Sequence, residues 1–362
     1  MTVQGHRVRA GEQELRFSRA ADGTRLAWST HGAGPPLVLA SCWMSHLQHD
    51  WHSPVWRHFL DALGAVATTI RYDERGFGLS DWDVTDFSLQ ARLGDLETLL
   101  DAVPYQRVAL MGMSAGAPVA IAYAALHPER VSRLVLYAPI GSGCFAASDD
   151  AEAEAALMAI ISAGWGRKDP LFRRVFTSML IPEATEEQMG WLDEQQRVST
   201  STHNAMASRV ARATVDVTPY LPLVQAPTLV LHARGDRAAP FDRGLRLARA
   251  IPEARLVPLE SRNHILLGDE PAWRVFHDEV VDFLAPDRDE LVPPPEAALA
   301  LSAREREVLA LAAHGDTNET IAAALHLSVR TVERHLQNVY LKAGVSGRTA
   351  RTAAVVRYLS RS

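Results

Sequence analysis

Apolar residues cluster in short consecutive runs along most of the chain: "PLVLA", "VATTIRYD", "RVALMG", "RLVLYAP", "PTLVLHARGD" and "ARLVPLE". Between several of them lie helix-length segments such as "APVAIAYAALHPER" and "FDRGLRLARAI". Strands that are apolar throughout, alternating with helices, predict a parallel sheet covered on both faces, an α/β fold. One interval breaks the rhythm. From 141 to 218 the pattern is helical, rich in Ala, Glu, Met and Trp, with no convincing strand. An insertion of that size over the carboxyl edge of the sheet predicts a helical cap.

After residue 285 the pattern changes again. "APDRDELVPPPEAALA" is acidic, contains a proline triplet, and has neither alternation nor a helical stripe. It predicts a stiff extended linker over 286–298. Beyond it, "LSAREREVLALAAHG" opens with Ser302 and Glu305 in capping-box spacing and carries apolar Val308, Leu309, Leu311 and Ala312 before Gly315. A second short helix has Ile321, Ala322 and Leu325 as its inward positions. Ser328 is placed to cap a third, whose apolar Val329, Val332, Leu336 and Val339 keep 3–4 spacing. The opposite face shows Arg330, Thr331, Arg334, His335, Gln337 and Asn338. Two helices joined by so tight a turn read as a helix-turn-helix. A helical dimerisation module with a solvated polar face is the alternative. The expected organisation is an α/β domain over 1–285 with its cap at 141–218, the linker, and a small all-α domain over 299–362.

Composition narrows the class. The chain has 362 residues and two cysteines, Cys42 and Cys144. That excludes a disulfide framework and a cysteine-rich metal site, and it suits a reducing compartment. No apolar leader and no long apolar run appear, so a cytoplasmic protein with no membrane role is expected. Net charge is -6 overall, but the segment from Leu299 onward is +4 and the remainder -10. A basic tail on an acidic body points to nucleic acid at the tail.

Candidate chemistry centres on "GMSAG", which fits the G-x-S-x-G nucleophile elbow. It directly follows the strand run "RVALMG" and directly precedes a small-residue helix from Ala115 to Leu126. A serine hydroxyl needs a base, and that base an orienting acid. Asp236 ends the run "PTLVLHARGD", and His264 lies in "LESRNHILLGDEP" after the next one. The order Ser114, Asp236, His264 suits a sheet of this kind.

With "RYDERGFGLSD" and "HPERVSRLVLYAP" added to that motif, residues 20 to 285 resemble an α/β-hydrolase. The resemblance implies catalytic Ser114, Asp236 and His264, an oxyanion hole from the backbone N–H groups of Trp43 and Ala115, and no cofactor. The chain departs from many relatives at "LVLASCWMSH", where Ser41 and Cys42 replace a His-Gly pair. "RYDERGFGLSD" itself reads as structural, a glycine turn at the strand edge. Cys42 is expected to be a pocket-wall or buried thiol. His46, His49, Asp50 and His52 have spacing that could seat a metal, but a polar loop is the expected reading, with His46 at the pocket mouth and no metal. In the cap, Phe145, Trp165, Phe172 and Trp191 are open to two roles, ligand contact or core packing.

Residues 299 to 360 closely resemble the LuxR-type DNA-binding domain through "LSAREREVLALAAHG", "TNETIAAALHLSVRTVERHL" and "VYLKAGVSGRT". The resemblance implies DNA contacts from Thr317, Asn318, Arg330, Thr331, Arg334, His335 and Lys342, and a dimer contact from a last helix, Thr349 to Ser360. Glu319 stands where the family commonly has a phosphate-binding lysine. The combined expectation is a one-component transcription regulator, a homodimer on paired half-sites of double-stranded DNA, responding to a small apolar ester or lactone. An inactive receptor and a metabolic hydrolase that controls its own operon are the rivals.

Overall fold

All six apolar runs form neighbouring parallel strands in the computed structural model, and two further strands extend the sheet at one edge. The structure describes residues 12–40, 42–140, 151–285, 303–314, 316–325, 327–342 and 355. The strands are β1 (Glu14–Arg19), β2 (Arg25–Gly32), β3 (Pro36–Ala40), β4 (Thr68–Tyr72), β5 (Val108–Met113), β6 (Val131–Tyr137), β7 (Thr228–Ala233) and β8 (Arg255–Leu259). Their order across the sheet is β1-β2-β4-β3-β5-β6-β7-β8. β2 runs antiparallel to β1 and β4, and every pair from β4 to β8 is parallel. The β1–β2 hairpin was not foreseen. β1 has no buried position to betray it, and its turn is marked only by Asp22-Gly23, with Gly23 at φ +91°.

Successive strand residues feed two separate layers. Val38, Ile70, Leu110, Leu136 and Val230 pack with α3 (Leu89–Ala102) and α4 (Ala117–Leu126) on one face. Leu37, Leu39, Met111, Val135 and Leu231 pack on the other with Phe59 of α2 (Arg57–Val66) and Phe276 of α10 (Pro271–Leu284). Each such leucine or valine contributes roughly 1.5–3 kcal/mol when fully buried, which is why strands covered on both faces carry no polar alternation. Helix α4 is buried from Ala117 to Tyr123 and on to Ala124, matching its nearly all-apolar sequence. The remaining helices of this unit are α1 (Leu47–Trp51), four between β6 and β7, and α9 (Phe241–Ala250).

Those four are α5 (Ala151–Gly164), α6 (Arg173–Leu180), α7 (Glu186–Ser199) and α8 (Thr202–Ala213). They make up the cap within the described part of 141–218. The glycine turn after β4 holds them. Gly78 donates its N–H to Ser199 O at 2.7 Å, and Gly76 O accepts from Thr200 Oγ1 at 2.7 Å and Asn204 Nδ2 at 3.2 Å. Asp73 braces the turn, accepting from Leu79 N–H at 2.9 Å and Leu47 N–H at 3.2 Å. A Cβ on Gly78 would lie 2.2 Å from the Asp73 carboxylate, so a side chain there is excluded. Arg212 of the cap pairs with buried Glu74 of the same turn.

Chain contacts divide the molecule between Ala285 and Pro286. In the second unit α11 (Ala303–Ala313), α12 (Asn318–Leu325) and α13 (Val329–Lys342) close around Val308, Ala312, Ile321, Ala322, Val332 and Leu336. Ser328 caps α13 through its Oγ, 3.1 Å from Thr331 N. Ser302 and the segment 349–360, apart from half-buried Val355, lie outside the described residues, as does the linker 286–298.

Candidate active site and candidate DNA interface

β3 and β5 are neighbours, but the chain leaves β3 toward β4 on one side and returns to β5 on the other. A crevice at carboxyl ends with this topology is a natural ligand site. Ser114 sits there, directly after β5, at φ +50°, a strained backbone for a residue other than glycine. The strain comes from turning a buried strand straight into α4. A short 3-10 turn over Ser114–Gly116 intervenes before the helix. The turn needs Gly112, where a Cβ would lie 2.7 Å from Ala120 Cβ and 2.8 Å from Ala117 Cα.

Three side chains distant in the chain meet at this point. His264 Nε2 lies 2.8 Å from Ser114 Oγ, and His264 Nδ1 lies 2.7 Å from Asp236 Oδ2. All three residues are buried. Asp236 Oδ1 accepts from the N–H groups of Ala238 (2.8 Å) and Ala239 (2.9 Å), which orients the carboxylate. Burial raises the Asp236 pKa, but the neighbouring His264, the hydrogen bonds from His232 and His264, and the Ala239 N–H outweigh it. The carboxyl is held well below its ordinary range. His232 Nε2, 3.4 Å from Asp236 Oδ2 and 2.7 Å from Ala239 O, flanks the acid from the far side.

The histidine loop is tied on two sides. Tyr137, the last residue of β6, bonds the His264 carbonyl and the Leu266 N–H. Leu180 O, at the end of cap helix α6, accepts the N–H groups of His264 (2.8 Å) and Ile265 (3.2 Å). Neither tether carries a local motif, and sequence reasoning missed both.

Ser114 and His264 open on a cavity of about 340 Å³ between the sheet edge and the cap. Trp43 and Ala115 line it beside Ser114, together with Trp56, Phe176, Met179 and Leu192. Cys42 is also in its wall, with Sγ 3.3 Å from Met44 O, and burial pushes the thiol up to about 12, so it stays protonated. Of the four aromatic cap residues, Phe145 lies outside the described residues. Trp165 is in the cap core against Trp43 and Phe176, Trp191 stacks on His49 at 4.0 Å, and Phe172 packs by Gly164. None of these three lines the cavity; Phe176, Met179, Leu180 and Leu192 do so instead.

His46 is not at the pocket mouth. Its Nδ1 accepts the His49 N–H to cap α1. Asp50 accepts from Gln195 Nε2 at 2.5 Å and faces Arg71 at 3.8 Å, and burial raises its carboxyl to about 7. His52 is exposed at the end of α1. Among the described residues, no three metal-ligating side chains come together.

In the helical unit, Arg330 and Arg334 are exposed on α13, with Gln337 and Asn338, while Val332, Leu336 and Val339 are buried. Thr331 and His335 are half-buried, and Thr331 Oγ1 is engaged by Ser328 Oγ at 2.8 Å. At the start of α12, Thr317 and Glu319 are exposed and Asn318 half-buried. The Lys342 side chain lies outside the described residues.

Comparison with known proteins gives a match to each unit. A family profile described as alpha/beta hydrolase fold matches residues 35–271, and one described as bacterial regulatory proteins, luxR family, matches residues 299–355. A 2-hydroxy-6-oxononadienedioate/2-hydroxy-6-oxononatrienedioate hydrolase of Paraburkholderia xenovorans is 29% identical over 289 residues, covering 76% of this chain and 92% of that protein. The crystal structure of a hydrolase from Pseudomonas aeruginosa superposes with a TM-score of 0.64 at 26% identity, covering 75% of this chain and 98% of the other. An enol-lactonase from Burkholderia xenovorans gives 0.58 at 25% identity, covering 74% and 99%. No helix among the described residues is long and apolar enough to cross a membrane. The chain therefore belongs to the α/β-hydrolase fold family and carries, C-terminal to that domain, a DNA-binding domain of the bacterial LuxR regulatory family.

Proposed function

We propose that the protein is a one-component transcription regulator whose hydrolase-fold domain binds and slowly hydrolyses a small ester or lactone, and that this event controls DNA binding by its C-terminal domain. The observation that carries the reading is the continuous hydrogen-bonded line Ser114–His264–Asp236 opening on a mostly apolar cavity. Ser114 Oγ attacks the ligand carbonyl while His264 Nε2 takes its proton. Asp236, ionised and doubly bonded by backbone N–H groups, holds the imidazole and stabilises its charged form. The N–H groups of Trp43 and Ala115 are assigned to the oxyanion, a contribution of about 3–4 kcal/mol per donor in related chemistry. The alcohol departs with the His264 proton, and water activated by His264 releases the acid.

The relatives support hydrolysis of a carbonyl compound, since the names they carry describe a dioate hydrolase and an enol-lactonase. The LuxR-type domain makes DNA the second partner, and the modest charge of that domain favours a homodimer on paired half-sites. A fast esterase, turning over about 10 times per second, would destroy its own signal. The regulatory reading therefore requires slow turnover, or a signal carried by the acyl-enzyme or the product. A coupling of about 1–3 kcal/mol between pocket and DNA affinity suffices for 5- to 150-fold control.

The test is p-nitrophenyl ester hydrolysis together with a fluorophosphonate label. Wild type cleaves short esters slowly and takes one label, and Ser114→Ala loses both while melting like wild type. Absence of both activities in the wild type overturns the hydrolytic half. DNA mobility shifts that ignore every cleaved ester overturn the sensor half.

A further inference from the structure

Arg92 stands on α3 and its side chain lines the same cavity as Ser114. The residue is 1% exposed, and Nε, Nη1 and Nη2 all lack a hydrogen-bond partner. Other buried arginines in this domain are engaged. Arg75 holds Asp95 through Nε at 2.8 Å and Nη2 at 2.6 Å, and Arg173 donates to the carbonyls of Asp193, Trp165 and Arg167. A guanidinium taken out of water with no partner is strongly unfavourable unless something supplies the missing acceptors.

Of the carboxylates whose charge Arg92 feels, Asp95 is fully committed and Glu74 in part. Asp95, one turn along α3, belongs to Arg75. Glu74 pairs with Arg212 through Oε2, leaving Oε1 without a hydrogen bond, and Glu154, in the cavity wall, accepts two bonds from Arg209 at 2.5 and 2.7 Å. Among the described residues lining the cavity there are five arginines (92, 209, 212, 237 and 243) and a single carboxylate, Glu154. Two of the five, Arg209 and Arg212, are paired with Glu154 and Glu74, whereas Arg92 has no hydrogen bond. Burial and the nearby Arg212 lower the Arg92 pKa to about 10, which leaves the group cationic at neutral pH.

We propose that Arg92 receives a carboxylate on the ligand, so that the compound turned over at Ser114 is an acid-bearing ester or lactone rather than a neutral one. The fork of N–H groups on a guanidinium matches the two oxygens of a carboxylate, and apolar residues elsewhere in the cavity lining (Pro118, Ala115 and Val215) limit screening of that attraction. The hydrolysed bond lies at Ser114 and the carboxylate takes no part in it. Arg92 thus selects and orients the ligand. The inference rests on the reading of this cavity as the ligand site, but not on turnover.

Matched p-nitrophenyl esters test it: the half-esters of succinate, glutarate and adipate against the neutral butyrate, valerate and hexanoate esters. Wild type prefers the charged member of at least one pair. Arg92→Met lowers that charged-to-neutral ratio of kcat/KM by about 30-fold, chiefly through KM, and Arg92→Lys recovers part of it. A ratio that stays within about 3-fold of wild type in a cooperatively melting Arg92→Met overturns the proposal. A second arm needs no catalysis. In Ser114→Ala, the free dicarboxylates raise the melting temperature and bind by calorimetry, and adding Arg92→Met weakens that binding at least about 10-fold. If no ester is cleaved but this binding holds, the hydrolytic reading fails and the anionic subsite stands. If valerate ester cleavage depends on Ser114 while the dicarboxylates bind no better with Arg92 than without it, the subsite fails and the hydrolase stands.

Discussion

Tyr137 Oη donates to the backbone carbonyl of His264 at 2.7 Å and accepts the N–H of Leu266 at 3.0 Å. One phenol thus fixes the loop that carries the imidazole. Burial pushes its pKa well above the ordinary tyrosine value, so the group stays a neutral donor. Tyr137→Phe keeps the ring contacts to Phe59 and Phe276 but leaves a buried carbonyl and a buried N–H unpaired. The expected outcome is a loss of about 1–3 kcal/mol in urea unfolding and a fall in kcat of about 10-fold, with KM nearly constant. An unchanged kcat would show that the Leu180 tether alone positions His264.

Gly112→Ala attacks the elbow from below. The added methyl meets the Ala120 methyl and the Ala117 backbone, so α4 must move outward. A destabilisation of about 1–3 kcal/mol is expected, with a larger fractional loss of ester hydrolysis than of folded protein. Equal losses in circular dichroism and activity would mean that the elbow geometry tolerates the shift.

His31 makes the fold acid-sensitive. It is buried with Nε2 3.0 Å from Leu60 O, and desolvation and the nearby Arg71 lower its pKa from 6.5 to about 4. The unfolded chain therefore takes the proton first as pH falls. Stability is fully present above about pH 6.5 and drains away down to about pH 4, by about 3 kcal/mol for this one group. His58, shifted the same way, adds to the trend, while Asp50 opposes it because its raised carboxyl favours the folded state on protonation. Denaturant melts at pH 7.5 and 4.5 should show a smaller difference in His31→Gln than in wild type. A difference as large as wild type would place the acid sensitivity elsewhere.

On the DNA side, Arg330→Ala removes an exposed cation while sparing the Val332 and Leu336 core. Affinity should fall, and the slope of log K against log salt should drop by about 1 if the contact is to phosphate. Glu319→Lys, at an exposed position, should raise affinity and steepen the slope. Fluorescence anisotropy over a salt series measures both, and a slope indifferent to either change would move the interface off this face.

Local pattern was enough for much of this molecule. The central strands β3, β5 and β7 were legible because burial on both faces leaves them almost wholly apolar, and α13 because Val332, Leu336 and Val339 keep helical spacing. Ser114, Asp236 and His264 were legible from one motif and two strand ends. β1 escaped because it is paired at one edge and exposes Phe17, so its side chains follow no period of two. Arg92 escaped for a different reason. An arginine on a helix reads as solvated until the surrounding elements show that cap and sheet have closed over it. The cap aromatics stayed open between two roles for the same reason, since only packing decides whether Phe176 or Trp165 faces the cavity.

The two N–H groups handed to Leu180 O have a consequence for how any ligand would reach Ser114. The rim of the roof and the His264 loop share this pair of bonds, so lifting the roof there removes one of the loop's two tethers. On the proposed hydrolytic reading, a roof raised at that rim would leave the imidazole hanging from Tyr137 alone.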